Sequence, residues 1–308
     1  FTGGKDGAYP IAGLTLDKNG NLFGTTLQGG STCDCGVVFE LAATENFWRF
    51  SIIHSFHGAD GASPSYGKLV FDGHGSLYGA TQMGGSGGVG AVFRMIPRQT
   101  GWQETVIYNL SGDTVYPYGV IMVDGRLYGT SVGGSGQVSV FKLSPVKQGP
   151  WIYKQIFTFV DEESGSHLSS GVIADPLGNL YGTIPQGGAN GMGLVYQLVP
   201  QGHEWVENVL HEFDYSDGAS PNSLVFDSMG NLFGEAMDGG PAEKCPQPGC
   251  GVIFELGPGY SFSRLYSFDG TDGSDPQGGL IIDGDGKLYG TTAGGGAGNL
   301  GTVFRVRR

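Results

Sequence analysis

No stretch of the 308-residue chain approaches the roughly 20 consecutive apolar residues of a membrane helix, so helical membrane insertion is not expected. Basic residues are scarce, 16 Lys and Arg against 29 Asp and Glu, for a formal net charge of −13. That balance argues against a nucleic-acid backbone or an anionic membrane as partner. Helical periodicity is missing throughout. No nucleophile motif, metal-ligand cluster or cofactor loop stands out, so no cofactor and no metal ligands are nominated. The chain begins at Phe1 without methionine, and a targeting segment is expected to have been removed or to lie outside these residues.

What is present in excess is glycine, 59 residues at fixed places in a repeat. The element Leu-Tyr-Gly-Thr-Thr or a near copy begins at Leu22, Leu77, Leu127, Leu180, Leu232 and Leu288. A period of this length marks one supersecondary unit copied, each copy burying its apolar face against the next. Four short β segments fit each copy. The first reads Leu14 to Asp17 and is followed by an Asp-x-x-Gly turn in most copies. The second is the Leu-Tyr-Gly element, the third Val37 to Leu41 and its relatives, and the fourth runs from Trp48 to Phe56 and its equivalents. Four strands in each of six units predict an all-β fold, a six-bladed β-propeller. A β-solenoid is the rival, but its coils need fewer residues. The chain is expected to form one domain, residues 1–308, with units near 1–56, 57–110, 111–159, 160–213, 214–268 and 269–308. The sixth unit has no fourth strand within the chain, which leaves an edge that self-association could use.

Asp60-Gly61-Ala62-Ser63-Pro64, Leu288-Tyr289-Gly290-Thr291-Thr292 and Gly251-Val252-Ile253-Phe254-Glu255-Leu256 recur in nearly every copy. In these motifs, over essentially its whole length, the chain resembles the GloVer tandem-repeat family of secreted bacterial proteins. The resemblance implies an exported repeat protein, sometimes part of a surface-anchored polypeptide. It brings no established activity and no catalytic residues, so function is sought in the residues themselves.

Several conspicuous side chains repeat and therefore read as structural. Trp48, Trp102, Trp151 and Trp205 share one position with Tyr260, and His54 and His211 share another with Tyr108, Phe157 and Tyr266; both read as blade packing. Asp6, Asp60, Asp113, Asp217 and Asp272 stand four residues before a proline. They could contribute to calcium binding, but no stretch supplies the oxygens calcium wants, and turn formation is the better reading. The four cysteines, Cys33 and Cys35 in the first copy and Cys245 and Cys250 in the fifth, point to disulfides in an oxidising compartment. Local pairing is favoured over cross-linking, although Cys33–Cys35 closes a small ring; a four-thiolate zinc site would need distant loops to converge.

Other residues break the repeat. Glu163 and His167 replace an aspartate and a proline of the fourth copy's loop, and Glu235 replaces a threonine in the fifth, with Asp238 just after it. Gathered over one sector, these would supply acid–base chemistry, Glu235 as proton donor with His167 or Glu163 opposite. Divergence without function is the plain alternative. Tyr9, Tyr66, Tyr116 and Tyr118 border the same loops and vary between copies, offering flat apolar area with a polar tip to sugar rings; His57 lies at the same end. Three functions are weighed. An extracellular module that binds a glycan or similar polymer leads, ahead of a carbohydrate hydrolase or lyase and of an assembly protein joined through its sixth blade.

Overall fold

The computed structural model describes residues 1–30, 32–64, 66–112, 115–134, 136–159, 171–241, 245 and 248–308. The chain forms two compact units, Phe1–Phe159 and Val160–Arg308, each with three antiparallel sheets. In the first unit, sheet one holds β1 (Thr15–Leu16), β2 (Leu22–Thr26), β3 (Val37–Ala43) and β4 (Trp48–Ser55). Sheet two holds β5 (Ala62–Pro64), β6 (Val70–Phe71), β7 (Leu77–Met83), β8 (Ala91–Arg98) and β9 (Gly101–Asn109). Sheet three holds β10 (Val115–Val123), β11 (Arg126–Val132), β12 (Val138–Ser144) and β13 (Ile152–Thr158).

In the second unit, sheet four holds β14 (Ile173–Ala174), β15 (Leu180–Ile184), β16 (Leu194–Gln201) and β17 (Glu204–Glu212). Sheet five holds β18 (Ala219–Phe226), β19 (Leu232–Asp238), β20 (Val252–Leu256) and β21 (Phe262–Ser267). Sheet six holds β22 (Ser274–Pro276), β23 (Ile281–Ile282), β24 (Leu288–Gly294) and β25 (Thr302–Val306). Strands adjacent in sequence pair as neighbours, and β5 with β6, like β22 with β23, are two pieces of one interrupted first strand. The fold class is therefore the expected all-β six-bladed propeller. Among the described residues its sixth blade has three strand positions, without the outer fourth.

The repeated motif has a packing reason. The glycine of Leu-Tyr-Gly pairs across the sheet with the aromatic residue of the third strand, as in Gly24↔Phe39 and Gly234↔Phe254. A Cβ there would lie 2.6 Å from the Phe39 ring and 2.3 Å from that of Phe254. The glycine is the seat of the ring, as aromatic residues cover glycines elsewhere in sheets. The preceding tyrosine is tied down by the turn: Tyr78 donates to Asp72 Oδ2 at 3.1 Å, and Tyr181 and Tyr289 donate to Asp175 and Asp283 at 3.0 Å. The same turn aspartates accept backbone N–H groups, for example those of His74 and Ser76 at Asp72 Oδ1. The first strand is shorter than expected, Thr15–Leu16, and Asp17 N–H closes the turn onto Asn21 O. The third copy differs: Asp124 and Gly125, both at positive φ, make a two-residue turn.

The core lies between neighbouring sheets. Phe23, Val38 and Phe56 meet Leu69, Leu77, Phe93 and Met95, and Tyr78 and Val92 meet Leu127, Phe141 and Leu143. In the second unit Tyr181 and Val195 meet Leu232, Val252 and Phe254, while Phe233 and Ile253 meet Leu280, Leu288 and Val306. Two of the repeated aromatics pack between blades, Trp102 edge-on against Phe23 and Trp151 tilted against Tyr78, whereas Trp48 is largely exposed. Each third-to-fourth strand pair carries one bulge, at Ile53, Ile107, Ile156, Leu210 and Leu265. Such bulges increase local twist. Both disulfides are local, Cys33–Cys35 and Cys245–Cys250.

Candidate functional site

In the first unit the tyrosines fall into two kinds. Tyr66 and Tyr118 stack, with ring centroids 5.8 Å apart and planes 15° from parallel. Tyr118 is 9% exposed and Tyr66 46%, so one ring backs the other and the outer one faces solvent. The stack depends on a close backbone approach, because a Cβ on Gly67 would fall 2.5 Å from Gly119 Cα. Burial, then the neighbouring Tyr66, raises the Tyr118 phenol above its ordinary value. Tyr116 and Tyr9 are 44% and 62% exposed and sit at positive φ. Ser63, Ser220 and Asp275, the other residues before the motif proline, share that conformation. It is disfavoured for residues with a Cβ, and in three copies a backbone bond holds it: Ser63 N–H to Cys35 O, Tyr116 N–H to Val89 O and Ser220 N–H to Met192 O.

In the second unit Glu235 is the outlier. Strand alternation puts it on the face of β19 that carries Phe233, toward sheet six. Where Thr183, its counterpart in sheet four, donates to Asn222 O, Glu235 accepts. Its Oε1 takes the Gly279 N–H at 2.8 Å and the Ser223 hydroxyl at 3.3 Å. Its Oε2 is buried without a partner, and the residue is 0% exposed. Burial pushes the carboxyl up to about 7, against the two hydrogen bonds. Asp238 acts on a different group: burial and the Asp238 charge together raise the Asp275 carboxyl. Glu163, His167 and Asp113 lie outside the described residues.

The loop aspartates have structural duties. Asp60 and Asp217 each accept the N–H three residues earlier, from His57 and Asp214, and each pairs with a ring, His54 Nε2 at 3.1 Å and His211 Nε2 at 2.9 Å. Asp272 does the same with Asp269 N–H and the Tyr266 hydroxyl. His57 is exposed, its Nδ1 3.7 Å from Asp60 Oδ2. Glu104, which the repeat pattern does not single out, stands on β9 two residues after Trp102. Its carboxylate comes within 4.8 Å of the donor atoms of His54 and Asp60. Equivalent positions hold Phe50, Tyr153, Glu207 and Phe262; two acids among aromatics were the available signal.

The description "Gloeobacter/Verrucomicrobia repeat" belongs to a family model that matches residues 1–164 and again 119–308. The chain is a member of that repeat family. No curated protein sequence matches this member, but solved structures share its fold. A Dyadobacter fermentans protein of unknown function is 12% identical at a TM-score of 0.58, over 98% of this chain and 96% of the other. Penicillium chrysogenum α-L-arabinanase, complexed with arabinobiose, is 14% identical at 0.56, over 95% and 91%. Trypanosoma rangeli sialidase in complex with sialic acid is 11% identical at 0.51, over 97% of this chain but 54% of its own. The repeat protein thus spans about half the sialidase's length, and at these identities the likeness concerns the fold alone.

Proposed function

We propose that the protein is an extracellular glycan-binding module whose contact surface includes Tyr66, Tyr118 and Tyr116. The observation that carries this reading is the Tyr66–Tyr118 stack, a flat ring held against a buried ring of the same kind. A preorganised aromatic face binds the apolar face of a sugar ring without first losing rotamer freedom, and the phenol edge offers a polar handle. The sugar complexes of the arabinanase and the sialidase give the same reading support at the level of the fold. Two disulfides support an oxidising, extracellular location, and among the described residues no helix is long and apolar enough to cross a membrane. Binding is preferred to catalysis because Glu235 has no surface open to a substrate.

The test is retention on a panel of polysaccharides, with mass spectrometry of the supernatant for product. Wild type is expected to be retained by at least one polymer without product, and Tyr66→Ala to weaken retention by about 5- to 30-fold, the range for an interface anchor. Product from wild type that disappears in Glu235→Gln would replace this reading with a carbohydrate-active enzyme.

A further inference from the structure

The first unit contains a group of side chains that glycan binding leaves without a role. One slot recurs between neighbouring blades, where a ring near the end of the fourth strand meets the residue two after the motif Trp or Tyr of the next blade. Tyr108 stacks on Tyr153 at 4.9 Å in one copy, and His211 on Phe262 at 4.0 Å in another. Between blades one and two the ring is His54, but the partner is Glu104, a carboxylate in place of an aromatic face.

That exchange has an electrostatic consequence. His54 Nε2 and Asp60 Oδ2 are 3.1 Å apart, and Glu104 brings a second carboxylate to within 4.8 Å of both. Glu104 Oε1 is shut off from solvent and has no hydrogen-bond partner. Two carboxylates facing each other beside an imidazole are a poor arrangement alone and a good one around a cation. Burial and the Asp60 charge accordingly raise the Glu104 carboxyl to about 7, while burial, against the pull of Asp60, lowers the imidazole of His54 and favours its neutral, ligating form. The geometry is close to what an ion needs, since two donors about 2.1 Å from one metal stand roughly 3.0–3.4 Å apart. The three residues are partly exposed, which leaves a way in and room for a water or ligand atom.

We propose that His54, Asp60 and Glu104 form a binding site for a divalent transition-metal cation, with one imidazole and two carboxylates as ligands. The mixed nitrogen and oxygen set suits Zn2+ better than Ca2+, which takes six to eight oxygens. No free cysteine competes for the ion. His57, with Nδ1 3.7 Å from the same Asp60 oxygen, is a further donor at the exposed rim. The second unit holds an internal control: His211 and Asp217 form the same pair, but Phe262 fills the third position.

The experiment is calorimetric titration of chelator-treated protein with Zn2+, alongside Glu104→Gln, His54→Gln and, as control, His211→Gln. One saturable site is expected, weakened at least about tenfold by each of the first two substitutions and unchanged by the third. Absence of saturable Zn2+ binding to wild type, or wild-type affinity in both Glu104→Gln and His54→Gln, overturns the proposal. X-ray absorption at the zinc edge on wild type needs no variant to fold: one imidazole, or two where His57 joins, with oxygen neighbours is expected, and a site without imidazole overturns it.

Discussion

Glu235 Oε1 accepts the backbone N–H of Gly279 at 2.8 Å, so a fully buried carboxyl on the fifth blade ties down the first-strand segment of the sixth. Its raised pKa has a definite sign for stability. The folded protein, with this carboxyl at about 7 against an ordinary 4.5, holds the proton more tightly than the unfolded chain. The stabilisation from that proton is fully present below pH 4.5 and is lost as pH rises through about 7. A shift of that size corresponds to on the order of 3 kcal/mol. Glu235→Gln keeps the shape and the acceptor oxygen while removing the ionisation. The variant is expected to match wild type near pH 4 and to unfold at a higher temperature at pH 8. Thermal melts across that range check it, and a Tm difference independent of pH would contradict the assignment.

The Tyr66–Tyr118 stack rests on backbone as much as on rings. Gly67→Ala would set a methyl 2.5 Å from Gly119 Cα and at the same distance from Tyr118 O. Backbone cannot move aside as a side-chain tip can, so the substitution is expected to cost about 1–3 kcal/mol, the usual range for overpacking. It should also disturb the stack. Chemical denaturation measures the first effect, and near-ultraviolet circular dichroism of the aromatic bands measures the second.

These two sites show what could be seen in the sequence and what could not. The six Leu-Tyr-Gly elements announced the blades, because the glycine, its covering aromatic and the turn aspartate are all local or one strand apart. Glu235 was visible as a break in that pattern. Its enclosure was not, since Ser223 and Gly279, which make the contacts, stand 12 and 44 residues away. Tyr66 and Tyr118 were both nominated, but their stacking depends on Gly67 meeting Gly119 across two blades. Glu104 escaped because its strand reads as packing; only β4 of the preceding blade, with His54, and the loop after it, with Asp60, give its carboxylate company.

The turn aspartates make a third, purely structural prediction. Asp72 Oδ1 accepts the N–H groups of His74 and Ser76 at 2.8 and 2.9 Å, and Oδ2 accepts the Tyr78 hydroxyl. Burial would raise this carboxyl, but those hydrogen bonds outweigh it and hold the group below its ordinary value. Asp72→Ala leaves three donors without their partner, and donors bonded to a charged acceptor are costly to strand. A loss of about 2–4 kcal/mol is expected, with glycan retention of the folded protein unchanged; denaturant titration and the polysaccharide panel read the two quantities separately. Asp72→Asn, which keeps one acceptor oxygen, should recover part of the loss.

The two disulfides give the last prediction. Each joins cysteines within one loop, and Cys35 and Cys250 are both buried against neighbouring-blade residues, Cys35 with Leu69 and Cys250 with Leu280. A bridge that closes a loop as short as Cys245–Cys250 restricts the unfolded chain only modestly, by about 2 kcal/mol in the chain-entropy estimate. Reduction should therefore lower Tm without unfolding the blades, because no bridge joins one sheet's loop to another's. Peptide mapping without reductant is expected to find the pairs 33–35 and 245–250. Cross-linked peptides joining residue 33 or 35 to residue 245 or 250 would contradict that pairing. Melts with and without thiol, read by far-ultraviolet circular dichroism, distinguish a modest shift from outright loss of the sheets.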